Sequence, residues 1–221
     1  MNAREDILGR IRAGAKRGPG NEAAARGRVR EWIAARRCGP RPGVGEDLAE
    51  SFSRRAHALS SSVETVDVMA EVPAAVARYL QANGLPLVAV CAPQLADLPW
   101  AGAGVAVQAR AARGEDLTGI TGCFCAIADT GTLMLCSSPS SPASASLLPE
   151  THIAIVPVAR IVACMEEGWA LARSELGALP RAVNFVSGPS RTGDIEQTIV
   201  LGAHGPYRVH IVLVREDRGR P

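Results

Sequence analysis

Aromatic residues and lysine are scarce in this sequence. Only 4% of its 221 residues are Phe, Trp or Tyr, too few for the stacking platforms of single-strand nucleic-acid binders. Lys16 is the sole lysine, every other basic residue being Arg, and the formal net charge is +2. That near-balance argues against the concentrated basic face of a nucleic-acid-binding domain. The arginine run "RGRVREWIAARR" (26–37) reads instead as the solvated side of a helix. No apolar run approaches the roughly 20 residues of a membrane-spanning helix. Charges interrupt the N-terminal stretch "MNAREDILGRIRAGAKRG", which therefore lacks the apolar core of a secretory signal. These absences predict a cytoplasmic protein. The six cysteines, at 38, 91, 123, 125, 136 and 164, then read as reduced and mostly buried thiols. Their only close pair is Cys123-x-Cys125, so neither a zinc site nor an iron–sulfur cluster is expected on this chain. The patterns G-x-x-x-x-G-K-[ST], G-x-G-x-x-G, H-E-x-x-H and G-x-S-x-G are missing too, which removes the corresponding nucleotide, metalloprotease and hydrolase signatures.

What is present is the composition of a globular protein, 47% hydrophobic and 21% charged, long enough to bury a sizeable core. The first 60 residues read as a helical arm. Ile7, Leu8 and Ile11 form one apolar stripe; Leu48, Phe52, Ala56 and Leu59 form a second, beyond the Gly/Pro connector "CGPRPGVG" (38–45). From 61 to 214 strand-like and helical patterns alternate. "VETVDV" (63–68), "LPLVAVCA" (85–92), "GVAVQA" (104–109), "HIAIVPV" (152–158), "AVNFVS" (182–187) and "YRVHIVLV" (207–214) read as strands. Val72, Val76 and Leu80 mark one helix, and Ile161, Met165, Trp169, Ala172 and Leu176 another. Alternation of this kind predicts an α/β domain with a mostly parallel sheet. Two departures stand out: a hairpin around Asp129-Thr130-Gly131 in "CAIADTGTLMLCS" (125–137), and the Ser- and Pro-rich stretch "SSPSSPASAS" (137–146). A polar tail, 215–221, completes the expected organisation.

Two stretches carry chemistry-bearing residues. In "FVSGPSRTGDIEQTIVLG" (185–202) the pattern reads as strand, small-residue loop and short helix (195–201). Ligands in open α/β sheets bind at such strand ends, where helix N–H groups point outward. Gly188 and Gly193 would let backbone approach a ligand; Ser190 and Thr192 offer hydroxyls, and Arg191 a fork suited to carboxylate or phosphate. The bland reading is a tight turn with Asp194 and Gln197 capping the helix, and both readings stand. The second stretch is "GITGCFCAIADTGTLML" (119–135). There Asp129 either closes an ordinary turn onto the N–H groups of Gly131 and Thr132 or serves as a nucleophile or general base. Thr121, Thr130 and Thr132 flank it. His152 and His204 sit at strand starts, away from the usual ligand edge, and read as structural.

Taken together, "GITGCFCAIADTGTLML", "SLLPETHIAIVP" and "NFVSGPSRTGDIEQTIVLGAHGPYRVHIVLV" resemble the lactate utilisation protein C family, the small stand-alone form of the LUD domain, over 61 to 214. The resemblance implies a three-layer α/β/α fold shared with ribose-5-phosphate isomerase, glucosamine-6-phosphate deaminase and CoA transferases. It also implies membership of a three-component bacterial system that oxidises L-lactate to pyruvate, with iron–sulfur clusters on the partner subunits and none here. By that analogy the loop at Gly188, Ser190, Arg191, Thr192 and Gly193 binds a small anionic ligand, a carboxylate, phosphate or CoA ester, with Thr130, Gly131 and Thr132 on the facing wall. The family pattern often has Glu before Thr-Gly-Thr; here the shorter Asp129 stands there. The expectation is an accessory, non-redox subunit. The alternative is an acyl or CoA transferase or sugar-phosphate isomerase with Asp129 as nucleophile or base.

Overall fold

The computed structural model describes residues 3–14, 22–40, 43–193 and 200–216. The chain divides into two compact units, 1–41 and 42–221. In the first, helices α1 (Ala3–Gly14) and α2 (Glu22–Ala34) bury no residue. The second unit already includes helix α3 (Leu48–Ala58), so the boundary expected near 60 falls about twenty residues earlier. The reason is burial: Phe52 and Ala56 of α3 are fully enclosed by the α/β core. Asp47 caps this helix, its carboxylate accepting from the N–H groups of Ala49 and Glu50.

After α3 come β1 (Ser62–Val68), α4 (Val72–Ala82), β2 (Val88–Cys91), β3 (Ala106–Ala109) and β4 (Thr118–Gly122). The middle of the chain supplies β5 (Cys125–Ile127), β6 (Thr132–Cys136), the single turn α5 (Ser144–Leu147), β7 (Thr151–Pro157), β8 (Ile161–Val162) and α6 (Met165–Leu176). The last part gives β9 (Val183–Val186), β10 (Arg191–Thr192), β11 (Val200–Leu201) and β12 (Arg208–Glu216).

Six strands form the central sheet in the order β1-β12-β7-β4-β2-β3, each neighbouring pair parallel. Both faces are covered, and the period of two along its strands shows it. Ile153 and Ile155 of β7, with Val212 and Val214 of β12, face the side packed by Val72, Val76 and Leu80 of α4. Their sequence neighbours Ala154, Val156, Ile211 and Leu213 face Phe52 and Ala56 of α3. This is the mostly parallel α/β architecture that the alternation of patterns predicts.

The expected hairpin is present as β5 and β6, turning at Gly131 with φ of +64°. It is the centre of a second sheet, ordered β8-β5-β6-β9, which the sequence pattern does not announce. Ala126 and Leu133 point towards the central sheet, whereas Cys125, Ile127 and Met134 point towards Ala172 of α6. The sequence pattern also passes over β4. Its Gly119 is required by packing, because a side chain there would strike the carbonyl of Ala145 in α5. Arg215 and Glu216, expected in the tail, still belong to β12.

Candidate functional site

The stretch 185–202 is built differently from the strand–loop–helix expected. Its first two residues end β9, which pairs antiparallel with β6 in the second sheet and is no part of the parallel sheet. Arg191 and Thr192 pair antiparallel with Leu201 and Val200, so the last two residues of the expected helix are extended. Asp194 and Gln197 lie outside the described residues. The loop packs beside the amino-terminal starts of β1 and β12, opposite the edge where ligands of open α/β sheets bind. Gly188, with φ of +83°, lies so close to Leu59 that a side chain would strike its carbonyl. The guanidinium of Arg191 donates to the carbonyl of Leu59 (3.1 Å) and to Ser60 Oγ (2.6 Å). Ser190 is tied in as well, its N–H donating to the carbonyl of Pro206 and its Oγ accepting from the N–H of His204. Gly193 adjoins open space.

The second predicted motif converges on the same helix. Gly131 sits against the backbone of Arg55 and Ala56 in α3, and a side chain there would lie 2.6 Å from the Ala56 nitrogen. Thr132 Oγ1 and Ser187 Oγ share a hydrogen bond of 2.8 Å, which joins the two motifs. Thr130 is exposed. The Asp129 N–H donates to the carbonyl of Ala163. Its Oδ1 is buried and accepts no hydrogen bond, so the expected turn does not close through that oxygen. The structure thus brings the predicted residues together, around the C-terminal half of α3, with intramolecular partners for Arg191 and Gly188.

A cleft of about 720 Å³ opens elsewhere, at the carboxyl edge of the parallel sheet. Gln94 follows β2, Gly122 ends β4 and Pro157 ends β7, and all three line it. From β2 the chain steps outward to β3, and from β4 it steps the opposite way to β7. The strand order reverses between β2 and β4, the place where α/β sheets leave a crevice for ligands. A side chain at Gly122 would meet the Gln94 amide, which fills that space. The Ser-rich stretch forms one wall through Ser137, Ser138 and Ser140. It is anchored at both ends: Gln94 N–H donates to the carbonyl of Ser140, and Ala182 N–H donates to Ser137 Oγ.

The opposite wall carries Arg160. Its NH1 and NH2 groups donate to the two carboxylate oxygens of Glu175 (2.7 and 2.9 Å), and its Nε donates to the carbonyl of Phe124 (2.8 Å). The guanidinium lies 4.9 Å from the centre of the Phe124 ring. Hydrogen bonding to Glu175 raises the Arg160 pKa further. Cys123 and Cys136 also border the cleft. Burial, with Cys125 nearby, holds the Cys123 thiol well above the ordinary range, and its Sγ donates to the Cys125 carbonyl at 2.9 Å. A thiol so placed is a poor nucleophile. Sequence reasoning missed this cleft: Arg160 belongs to no motif, and only the Ser-rich run and the glycine that ends β4 hinted at it.

The buried histidines are held inside the fold. His152 Nε2 and Thr121 Oγ1 are 2.8 Å apart between β7 and β4. His210 bonds Ser62 Oγ through Nδ1 (2.8 Å) and stacks on Tyr79 at 3.9 Å. Burial pushes both imidazoles down to about 4. No helix among the described residues is long and apolar enough to cross a membrane.

The LUD domain model matches residues 107–214. Lactate utilization protein C of Bacillus licheniformis is 40% identical over 103 residues, covering 45% of this chain and 42% of its own. Lactate utilization protein C 1 of Bacillus mycoides is 42% identical over 109 residues, 48% of this chain and 46% of its own. The similarity to these curated relatives spans less than half of their length. Among solved structures, a DUF162 family protein from Deinococcus radiodurans is similar with a TM-score of 0.59 and 26% identity, covering 78% of this chain and 99% of that one.

Proposed function

We propose that this chain, which the LUD domain model matches over residues 107–214 and which is similar to lactate utilization protein C, serves lactate utilisation as a non-redox subunit that binds a small organic ligand. Iron–sulfur subunits of the same system are its proposed partners and supply the electron transfer. The observation that carries the ligand-binding part is the cleft at the strand-order reversal between β2 and β4, of a volume suited to a small molecule. Placing the ligand there, and not on the loop at Arg191, follows from the edge of the sheet each occupies.

The test is a thermal-shift and calorimetric screen of the full chain against lactate, pyruvate, sugar phosphates and CoA esters. A ligand at 100 times its dissociation constant adds about 2.7 kcal/mol to stability. The proposal expects a shift that Gly122→Leu or Phe124→Ala abolishes and Arg191→Ala leaves intact. The reverse pattern would return the ligand to the loop at 187–193.

One observation favours a second reading, an acyl or CoA transferase with Asp129 as nucleophile: its buried Oδ1 lacks a partner. Incubation with an acyl-CoA followed by mass spectrometry decides it. A covalent adduct on the Asp129 peptide supports catalysis, and an unmodified peptide under turnover conditions rejects it.

A further inference from the structure

Resting on the cleft reading above, we infer that its ligand is an uncharged, hydroxyl-bearing compound of sugar or nucleoside size, and that phosphates and other strong anions are disfavoured. The charge inventory of the walls is the first ground. Among the lining residues the charged side chains are Arg160 and Glu175, and they neutralise each other through two parallel hydrogen bonds. The Arg160 Nε is spent on the Phe124 carbonyl, and the guanidinium face lies over the Phe124 ring. Three of the five donors of the fork are therefore committed. A phosphate entering this cleft meets no uncompensated cation. To reach the guanidinium squarely it has to displace the Glu175 carboxylate, which breaks both parallel hydrogen bonds and sets two anions side by side.

The remaining polar groups point to hydroxyls. Ser137, Ser138 and Ser140 carry groups that both donate and accept, and Ser138 and Ser140 already bond each other at 3.0 Å. Gln94 adds an amide with both functions. A ligand hydroxyl also donates and accepts, so it satisfies such a wall without adding charge. Phe124, Pro157 and Leu176 provide apolar surface for a carbon skeleton. About 720 Å³ greatly exceeds the space a three-carbon acid fills, so lactate alone would leave most of the cleft to water. The ligand on this account is an effector or co-substrate of larger size.

Matched pairs that differ only in charge test the inference on the full-length protein. Isothermal titration compares glucose with its phosphate monoester, and adenosine with its monophosphate. In the wild type the neutral member of a pair binds at least roughly tenfold more tightly. Glu175→Gln releases the Arg160 guanidinium and moves the preference towards the phosphorylated member by a comparable factor. Should that variant fold poorly, the double variant Arg160→Gln/Glu175→Gln, which removes both charges, keeps the neutral preference. Equal or tighter binding of the phosphorylated members by the wild type overturns the charge rule while leaving the cleft as the ligand site. If no member of either pair binds wild type or variants, the cleft reading itself fails and the inference with it.

Discussion

The guanidinium of Arg191 donates to the carbonyl of Leu59 at 3.1 Å, across 132 positions of sequence. Leu59 terminates α3, and the same carbonyl is crowded by Gly188. The loop that the sequence reads as either a turn or an anion cradle clasps a helix end. Unsatisfied carbonyls at helix C-termini need such partners.

Gly188→Ala should be severely destabilising. It forces a side chain into a left-handed backbone and against the Leu59 carbonyl, together costing about 2–4 kcal/mol. Arg191→Ala removes hydrogen bonds at an exposed site and should cost only about 1 kcal/mol. Urea denaturation of both variants checks the order.

Phe52→Ala should cost about 3–5 kcal/mol, because the ring is fully buried between α3 and the central sheet. Trp32→Ala, in α2, should change stability by less than about 0.5 kcal/mol, since that side chain is 67% exposed. The contrast places α3 energetically in the α/β unit. Equal effects in chemical denaturation would contradict that assignment.

Acid should weaken the fold through its two buried histidines. His152 and His210 titrate near 4 when folded and near 6.5 when unfolded. The unfolded chain thus binds more protons between those values, and stability falls as pH drops from about 6.5 towards 4. Each histidine contributes on the order of 1 kcal/mol per pH unit in that window. Glu64, whose Oε2 lies 4.0 Å from His210 Nε2 and whose Oε1 accepts from Arg78, is the acidic group closest to compensating His210. Urea midpoints at closely spaced pH values measure the slope; a flat profile between 6.5 and 5 would refute it.

Gly122→Ala should weaken ligand binding with little loss of stability. The added methyl meets the movable end of Gln94, so the amide swings away and the cleft wall loses one polar contact. Affinity should fall roughly tenfold, with unfolding changed by less than about 1 kcal/mol. An unaltered dissociation constant would remove Gln94 from the site.

Much of the parallel sheet was legible because its strands are buried on both faces. The continuous apolar runs 85–92, 152–158 and 207–214 announce β2, β7 and β12. In contrast β4, "TGITG" (118–122), has no such run. Its two glycines answer to neighbours distant in sequence, Ala145 and Gln94. Local chemistry also misled at Val200 and Leu201, where pairing with Arg191 and Thr192 overrides a helical pattern. For the candidate site, the polar turns were recognised and do meet, through Thr132 and Ser187. The cleft was invisible because three strand ends from separate parts of the chain make it, and Arg160 gains its position only when β8 and α6 assemble around it.

The sheet order has a consequence for how the protein is made. Among the described residues β1, the first strand in chain order, has β12, the last, as its one neighbour in the sheet. Val66 and its neighbours in β1 leave the ribosome nearly 150 residues ahead of the strand they pair with, and β7 waits for the same partner. Until β12 has emerged, two unpaired strand edges stand open to other nascent chains. Synthesis stalled before residue 208 would therefore yield a sticky, incomplete intermediate, so chaperone demand should last until β12 has emerged.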